Sequence, residues 1–286
     1  MMKFALCTIS FRHQLISFFE LVDFAKQHGF DGIELWGVHA DRLYEQYGMG
    51  RADQALLQRR LEQAGLKLSM LSDYLELSSH EGFLQALQRC EHLMTIADWL
   101  GVDRIRTFAG RLGSKEISPS ERAVYIHRLR QLGERCRLRG MKLLIEIHPG
   151  TLTDSLGSTL DLVCAMEEEQ IGLNFDVLHA WEYGRDVSDT LSQLKPWVQY
   201  FHLKNVALPS QVHIFEPANV YSVSGTREGM VLLKDGVVDY KSLMEQALEM
   251  DCYASIEWFG PSPLKVLGEE IRWLRQLQGQ AQAVEV

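Results

Sequence analysis

Eight short β-rich runs recur along the chain, and a longer segment of helical texture follows most of them. The runs are KFALCTIS (3–10), GIELWG (32–37), KLSMLSDYL (67–75), RIRTFAG (104–110), KLLIEIH (142–148), IGLNFDVLH (171–179), VQYFHLKN (198–205) and YASIEWFG (253–260). Between them, LISFFELVDFAKQHG spaces its apolar residues three and four apart and ends in Gly29, a residue suited to a helix C-cap. QALLQRRLEQAG and FLQALQRCEHLMTIADWLG end in the same way, at Gly65 and Gly101. SPSERAVYIHRLRQLGERCRLRG opens with Ser118 before Pro119, an N-cap followed by a first-turn proline. SLMEQALEM and PLKVLGEEIRWLRQL complete the set. Strands alternating with helices indicate parallel βαβ units, and eight of them predict a (β/α)₈ TIM barrel. An open doubly wound sheet has less support, because no GxGxxG follows the first run. One catalytic domain over residues 1–286 is expected, with QGQAQAVEV (278–286) as a flexible tail. The connection over residues 206–252 is unusually long, which marks it as a candidate binding loop.

Charge inside one run raises the question of chemistry. In LLIEIHPGTLTD, Glu146 and His148 sit two apart among apolar residues, so a strand points both to one face. A buried carboxylate requires compensation by a cation, a hydrogen-bond network or a metal. The active sites of (β/α)₈ barrels lie at the C-terminal ends of the strands. Polar residues collect there in six successive runs: Asp73 and Tyr74, Arg106, Glu146 and His148, Asp176 and His179, His202 and Lys204, and Glu257. Glu146, Asp176, His202 and Glu257 come from the last four runs, and this set suits a hard or borderline divalent cation. Mn²⁺ is the first expectation, with Mg²⁺, Co²⁺ or Zn²⁺ as alternatives. His148 need not be a ligand and is placed as a base beside the metal.

Composition narrows the class. The chain is 46% hydrophobic, ample for a core, and its net charge of −9 argues against a nucleic-acid partner. No apolar stretch approaches the ~20 residues that span a bilayer, so no membrane partner is expected. The N-terminus lacks the pattern of a signal peptide. Five scattered cysteines without a CxxC read as free thiols in a reducing cytoplasm.

The motifs CTISFRHQLISF, GIELWG, SDYL, IRTFAG, HPGTLTD, WEYG, HLKN, FEPANVY, GMV and EWFG, taken in order, resemble the xylose isomerase-like family of metal-dependent barrels. Within it they resemble the 3-dehydroshikimate dehydratases of petrobactin siderophore synthesis, almost end to end. That resemblance implies a small-molecule substrate, 3-dehydroshikimate, converted to protocatechuate and water, for a siderophore or an aromatic catabolic pathway. It implies metal ligation by Glu146, Asp176, His202 and Glu257. It also implies a substrate pocket of Tyr74, Arg106, His148, His179, Lys204 and Tyr221, with Phe215 and Phe259 as apolar walls. In this reading His148 is the base, and His179 or Lys204 is the acid. Arg106 or Lys204 pairs with the substrate carboxylate, and the two tyrosines orient hydroxyls.

Other features read as structural. Glu34 is expected to hydrogen-bond within its strand, and His13 and His39 to be solvated in loops. AGRLGSKE lacks phosphate-loop spacing, and the basic run 121–140 is an outer helix with a solvated face. Alternatives on the same scaffold are a sugar isomerase or epimerase and an endonuclease IV-like repair enzyme. A metabolite-binding barrel without catalysis is the alternative of a different class. A homodimer through outer helices is an open option.

Overall fold

The computed structural model describes residues 1–48, 50–167 and 169–284. Its strands are β1 (Lys3–Cys7), β2 (Gly32–Trp36), β3 (Lys67–Ser72), β4 (Arg104–Phe108), β5 (Lys142–Glu146), β6 (Ile171–Asp176), β7 (Val198–Leu203), β8 (Asn205–Val206), β9 (Met230–Val231) and β10 (Tyr253–Ile256). The eight runs read from the sequence close into a barrel in the order β1-β10-β7-β6-β5-β4-β3-β2. By compactness the chain divides into two units. One holds Met1–Ile33, Arg60–Lys67 and His202–Val286, and the other holds Glu34–Arg59 and Leu68–Phe201.

In the first unit, β1 pairs in parallel with β10, from Lys3 opposite Tyr253 to Leu6 opposite Ile256. The helix Phe18–His28 starts at a capping box made by Ser17 and Glu20, and it stops at Gly29 in the left-handed conformation (φ 79°). The last helix spans Pro263–Val284. This corrects the expectation of a flexible tail over 278–286. The segment is helical to Val284, and Gln278 is buried with its amide donating to the Met2 carbonyl at 2.9 Å. Residues 285 and 286 lie outside the described residues. The long connection is also structured. β8 pairs antiparallel with β9, a short helix spans Pro217–Tyr221, and the buried Asn205 amide donates to the carbonyls of Leu233 (2.8 Å) and Val238 (3.1 Å).

In the second unit, the parallel register sets Phe108 opposite Glu146, and Glu146 opposite Asn174. The helix Pro119–Leu138 has the expected Ser118 cap and first-turn proline. It buries Tyr125, Leu129, Leu132 and Cys136, while Arg135 and Arg137 form surface ion pairs with Glu91 and Glu134. The basic run is therefore an outer helix. Helices Gly37–Tyr47, Leu156–Cys164 and Val187–Leu194 were not read from the sequence. The first follows its strand at once and has no side-chain cap. His39 lies on it, packed edge-on against Trp36 (5.2 Å between ring centres), and burial beside Arg42 lowers its pKa to about 4. It is a packed helical histidine, not a solvated loop residue. None of the five cysteines is in a disulfide and four are buried, with the Cys90 and Cys136 sulfurs 3.9 Å apart.

Candidate active site

The β4–β6 ladder explains the buried charge in LLIEIHPGTLTD. Glu146 is the last residue of β5 and is 2% exposed. Arg106 lies on the same face as Phe108, two residues before it, and its guanidinium Nε reaches Glu146 Oε2 at 2.8 Å. The Asn174 amide donates to the same carboxylate oxygen at 3.2 Å. A guanidinium and an amide therefore compensate Glu146 within the fold. Arg106 lies against a pair of touching rings, with its guanidinium carbon 5.0 Å from the Tyr74 ring centre and 5.3 Å from that of Phe108, the two rings being 4.9 Å apart. Cation–π contact of this kind stabilises and orients the planar, desolvated guanidinium.

His148 follows β5 on a loop tied by two threonines. The Thr153 hydroxyl donates to the Glu146 carbonyl (2.7 Å) and accepts from the His148 amide (3.3 Å). The Thr151 hydroxyl donates to the His148 carbonyl at 2.8 Å. The Tyr183 hydroxyl donates to the Thr153 carbonyl at 2.8 Å, and burial raises its pKa so that it remains a neutral donor. The imidazole packs on Phe108 (4.2 Å) and on His179 (4.5 Å). Its Nδ1 lies 2.7 Å from the Pro149 carbonyl. A carbonyl oxygen can only accept, so Nδ1 carries the proton, and in the neutral ring Nε2 holds the lone pair.

Asp176 ends β6 and caps the helix Val177–Trp181, accepting from the His179 amide at 3.1 Å. His179 Nδ1 donates to Glu182 at 2.6 Å, and its Nε2 lies 4.0 Å from Asp176. A carboxylate on the far ring nitrogen is the arrangement that orients metal-binding histidines.

β7 and the segment after β10 bring the remaining groups. His202 Nδ1 stands 3.4 Å from Glu257 Oε1, and Lys204 Nζ lies 2.8 Å from Glu257 Oε2. All three side chains are buried. Lys204 Nζ lies 5.1 Å from the ring centre of Phe215, which meets Phe259 edge-on at 5.7 Å. Tyr221 ends the helix Pro217–Tyr221 and is 36% exposed.

In the second unit the buried Glu146, Asp176 and His179 have donor atoms within 4.8 Å of one another, close enough to hold a metal ion. Two of the four ligands expected from the sequence, Glu146 and Asp176, are in this group, together with His179, which the sequence reading had placed only in the substrate pocket. The other two, His202 and Glu257, stand beside each other in the first unit. Two carboxylates with an imidazole nitrogen form a donor set that fits a divalent cation. Sequence reasoning also missed Phe108, Asn174 and Glu182. Each carried a signal: Phe108 and Asn174 share a strand face with Arg106 and Asp176, two residues away, and Glu182 is one helical turn from His179.

Comparison with known proteins places the chain in a family. The chain is 43% identical over 274 residues to the 3-dehydroshikimate dehydratase of Bacillus anthracis, covering 96% of each protein. The crystal structure of the probable 3-dehydroshikimate dehydratase involved in petrobactin synthesis from Bacillus anthracis superimposes with a TM-score of 0.91. It is 42% identical and is matched over 96% of this chain and 98% of that one. The IolI protein, solved with a zinc atom, shares only 18% identity and thus the fold alone, with a TM-score of 0.74 over 98% of this chain and 97% of that one. Barrel order, strand-end chemistry and a match over residues 22–277 converge: the chain belongs to the xylose isomerase-like TIM barrel family.

Proposed function

We propose that this chain is a metal-dependent 3-dehydroshikimate dehydratase, forming protocatechuate and water, with the whole chain acting as one catalytic domain. The observation that carries the reading is the 43% identity to a 3-dehydroshikimate dehydratase over 96% of both proteins. The involvement of the solved relative in petrobactin synthesis supports a supply route to a catecholate siderophore. No described helix is long and apolar enough to cross a membrane.

Glu146, Asp176, His202 and Glu257 would hold the cation, with Mn²⁺ as the favoured ion. When bound, it supplies Lewis-acid stabilisation of negative charge developing on substrate oxygens. The chain's own groups handle the protons. The leaving hydroxyl is on C5, β to the C3 ketone, so the first proton to leave is on C4. His148 takes it at Nε2, because Nδ1 is held on the Pro149 carbonyl. His179 is held on Glu182 through Nδ1, and its Nε2 faces Asp176, a proposed metal ligand. Lys204, held on Glu257, is then the acid for the departing hydroxyl. Arg106 is left to meet the substrate carboxylate through its planar fork. Loss of a C6 proton, with protonation of the C3 oxygen, completes the aromatic ring.

The test is an absorbance assay for protocatechuate. Chelated protein with 3-dehydroshikimate should be inactive and should gain activity on addition of Mn²⁺. Folded protein that forms no protocatechuate with Mn²⁺, Mg²⁺, Co²⁺ or Zn²⁺ would sink the proposal.

A further inference from the structure

The motifs CTISFRHQLISF and FEPANVY and the residues after them contain two arginines that the proposed chemistry does not use. Arg227 is half-buried, and each of its five N–H groups meets a backbone carbonyl. Nε donates to Phe259 (3.0 Å), and one terminal nitrogen donates to Asn219 and Thr226 (both 2.9 Å). The other donates to Val220 (3.1 Å) and Ser222 (3.0 Å). Five donors is the full capacity of a guanidinium. No carboxylate among the described residues pairs with Arg227, and burial lowers its pKa. Its charge is thus spent on main-chain dipoles of one segment, residues 219–226, and on one residue after β10.

Arg12, in the turn after β1, grips the same places. Its Nε donates to the Val220 carbonyl at 2.6 Å, and its guanidinium carbon lies 4.9 Å from the Phe259 ring centre. The contacts form a chain: Glu257 to Lys204, Lys204 over Phe215, Phe215 against Phe259, and Phe259 under Arg12. Asn219 reinforces the segment by donating to the Ile214 and Thr226 carbonyls at 2.8 and 2.9 Å. Gly225 closes it. A Cβ there would lie 2.2 Å from the Asn219 carbonyl oxygen and 2.7 Å from Arg227.

We propose that Arg227 and Arg12 are positioning residues that clamp the 216–226 segment, with Tyr221, onto the Phe215–Phe259 wall and so set the affinity for substrate. This rests on the dehydratase reading. It assigns the arginines no contact with substrate. They act by fixing the wall and the tyrosine-bearing segment before substrate arrives, which lowers the ordering cost of binding.

The experiment compares steady-state kinetics of wild type, Arg227→Gln, Arg227→Lys and Gly225→Ala, with thermal melting and limited proteolysis of each. KM for 3-dehydroshikimate should rise about 10-fold or more in Arg227→Gln, with kcat changed less than about 3-fold, as expected when uniform binding is lost. Arg227→Lys keeps the charge but offers three donors, so it should retain most of the defect. A long-range effect of charge on the substrate carboxylate would instead be rescued by lysine, and that outcome would overturn the clamp. Gly225→Ala alters no charged group and should reproduce the KM rise, with new cleavage between residues 216 and 226. Unchanged KM in all three variants, beside an active wild type, would also overturn the clamp, even if melting temperatures fell. A wild type that does not turn over 3-dehydroshikimate would instead refute the dehydratase reading on which the clamp rests.

Discussion

Replacing Arg106 by methionine tests the most consequential contact in the structure. Both partners of the Arg106–Glu146 pair are about 2–3% exposed, so solvent screens the pair little. At 2.8 Å two unit charges in a medium of effective dielectric ~20 attract by about 6 kcal/mol. Desolvation of both ions offsets most of that gain, so the pair as a whole contributes little net stability. The asymmetry is in the single variant. Methionine fills similar volume but leaves Glu146 buried without the guanidinium, and breaking a buried pair from one side costs ~3–5 kcal/mol. Glu146→Gln alone strands the arginine and should cost a comparable amount. The double variant Arg106→Met with Glu146→Gln strands neither, so its loss should fall below the sum of the singles by ~2–3 kcal/mol. Urea unfolding of chelated protein at neutral pH measures all four free energies. An Arg106→Met loss below ~1 kcal/mol, or additive singles, would refute the claim that Arg106 compensates Glu146.

Three further outcomes are expected. Glu270 is buried and, among the described residues, accepts a hydrogen bond from the Leu233 amide alone; burial raises its pKa to about 8. The folded state therefore holds this proton more tightly than the unfolded chain. Stability falls as pH rises from about 4.5 towards about 8, by up to ~1.4 kcal/mol per unit. Glu270→Gln removes that slope, so its unfolding free energy relative to wild type should grow between pH 5 and pH 8. Asp176→Asn removes the charge of a carboxylate in the Glu146, Asp176 and His179 group. Calorimetric titration should show Mn²⁺ affinity reduced by more than the ~10–100-fold typical of changes to groups that merely orient ligands. Thr153→Val removes the hydroxyl that joins the Glu146 carbonyl to the His148 amide. It should cost ~1–3 kcal/mol in urea unfolding and lower kcat, whereas Thr153→Ser should retain both.

The barrel was legible because its signals are local and repeated. Each strand announced itself as a short apolar run, and caps such as Ser118 with Pro119 and Gly29 marked where helices begin and end. Helix Gly37–Tyr47 escaped because it continues from its strand with no cap side chain to mark the boundary. The tail escaped for a different reason. QGQAQAVEV has no apolar stripe of its own, and one bond that anchors it, from Gln278 to Met2, is long-range. Propensity and periodicity cannot register a contact between the two ends of a chain.

The candidate site was legible as an inventory but not as a set of pairings. That Glu146 and His148 share a face follows from strand periodicity alone. That Arg106 would reach Glu146 depends on a side chain leaning along its strand and across to the next, a choice of rotamer that spacing does not record. Lys204 and Glu257 are 53 positions apart and meet only because the barrel brings their strand ends together. The pairings change what the residues mean. Arg106 and Lys204 were read as groups waiting for a substrate carboxylate, and in the structure each neutralises a carboxylate assigned to the metal. Under the proposed ligation, Glu146 and Glu257 would each be shared between the metal and the cationic side chain beside it, so Arg106 and Lys204 would each tune how strongly its carboxylate holds metal. Loss of either cation must therefore alter metal affinity as well as substrate affinity. Kinetics alone will misassign their roles unless metal binding is measured on the same variants.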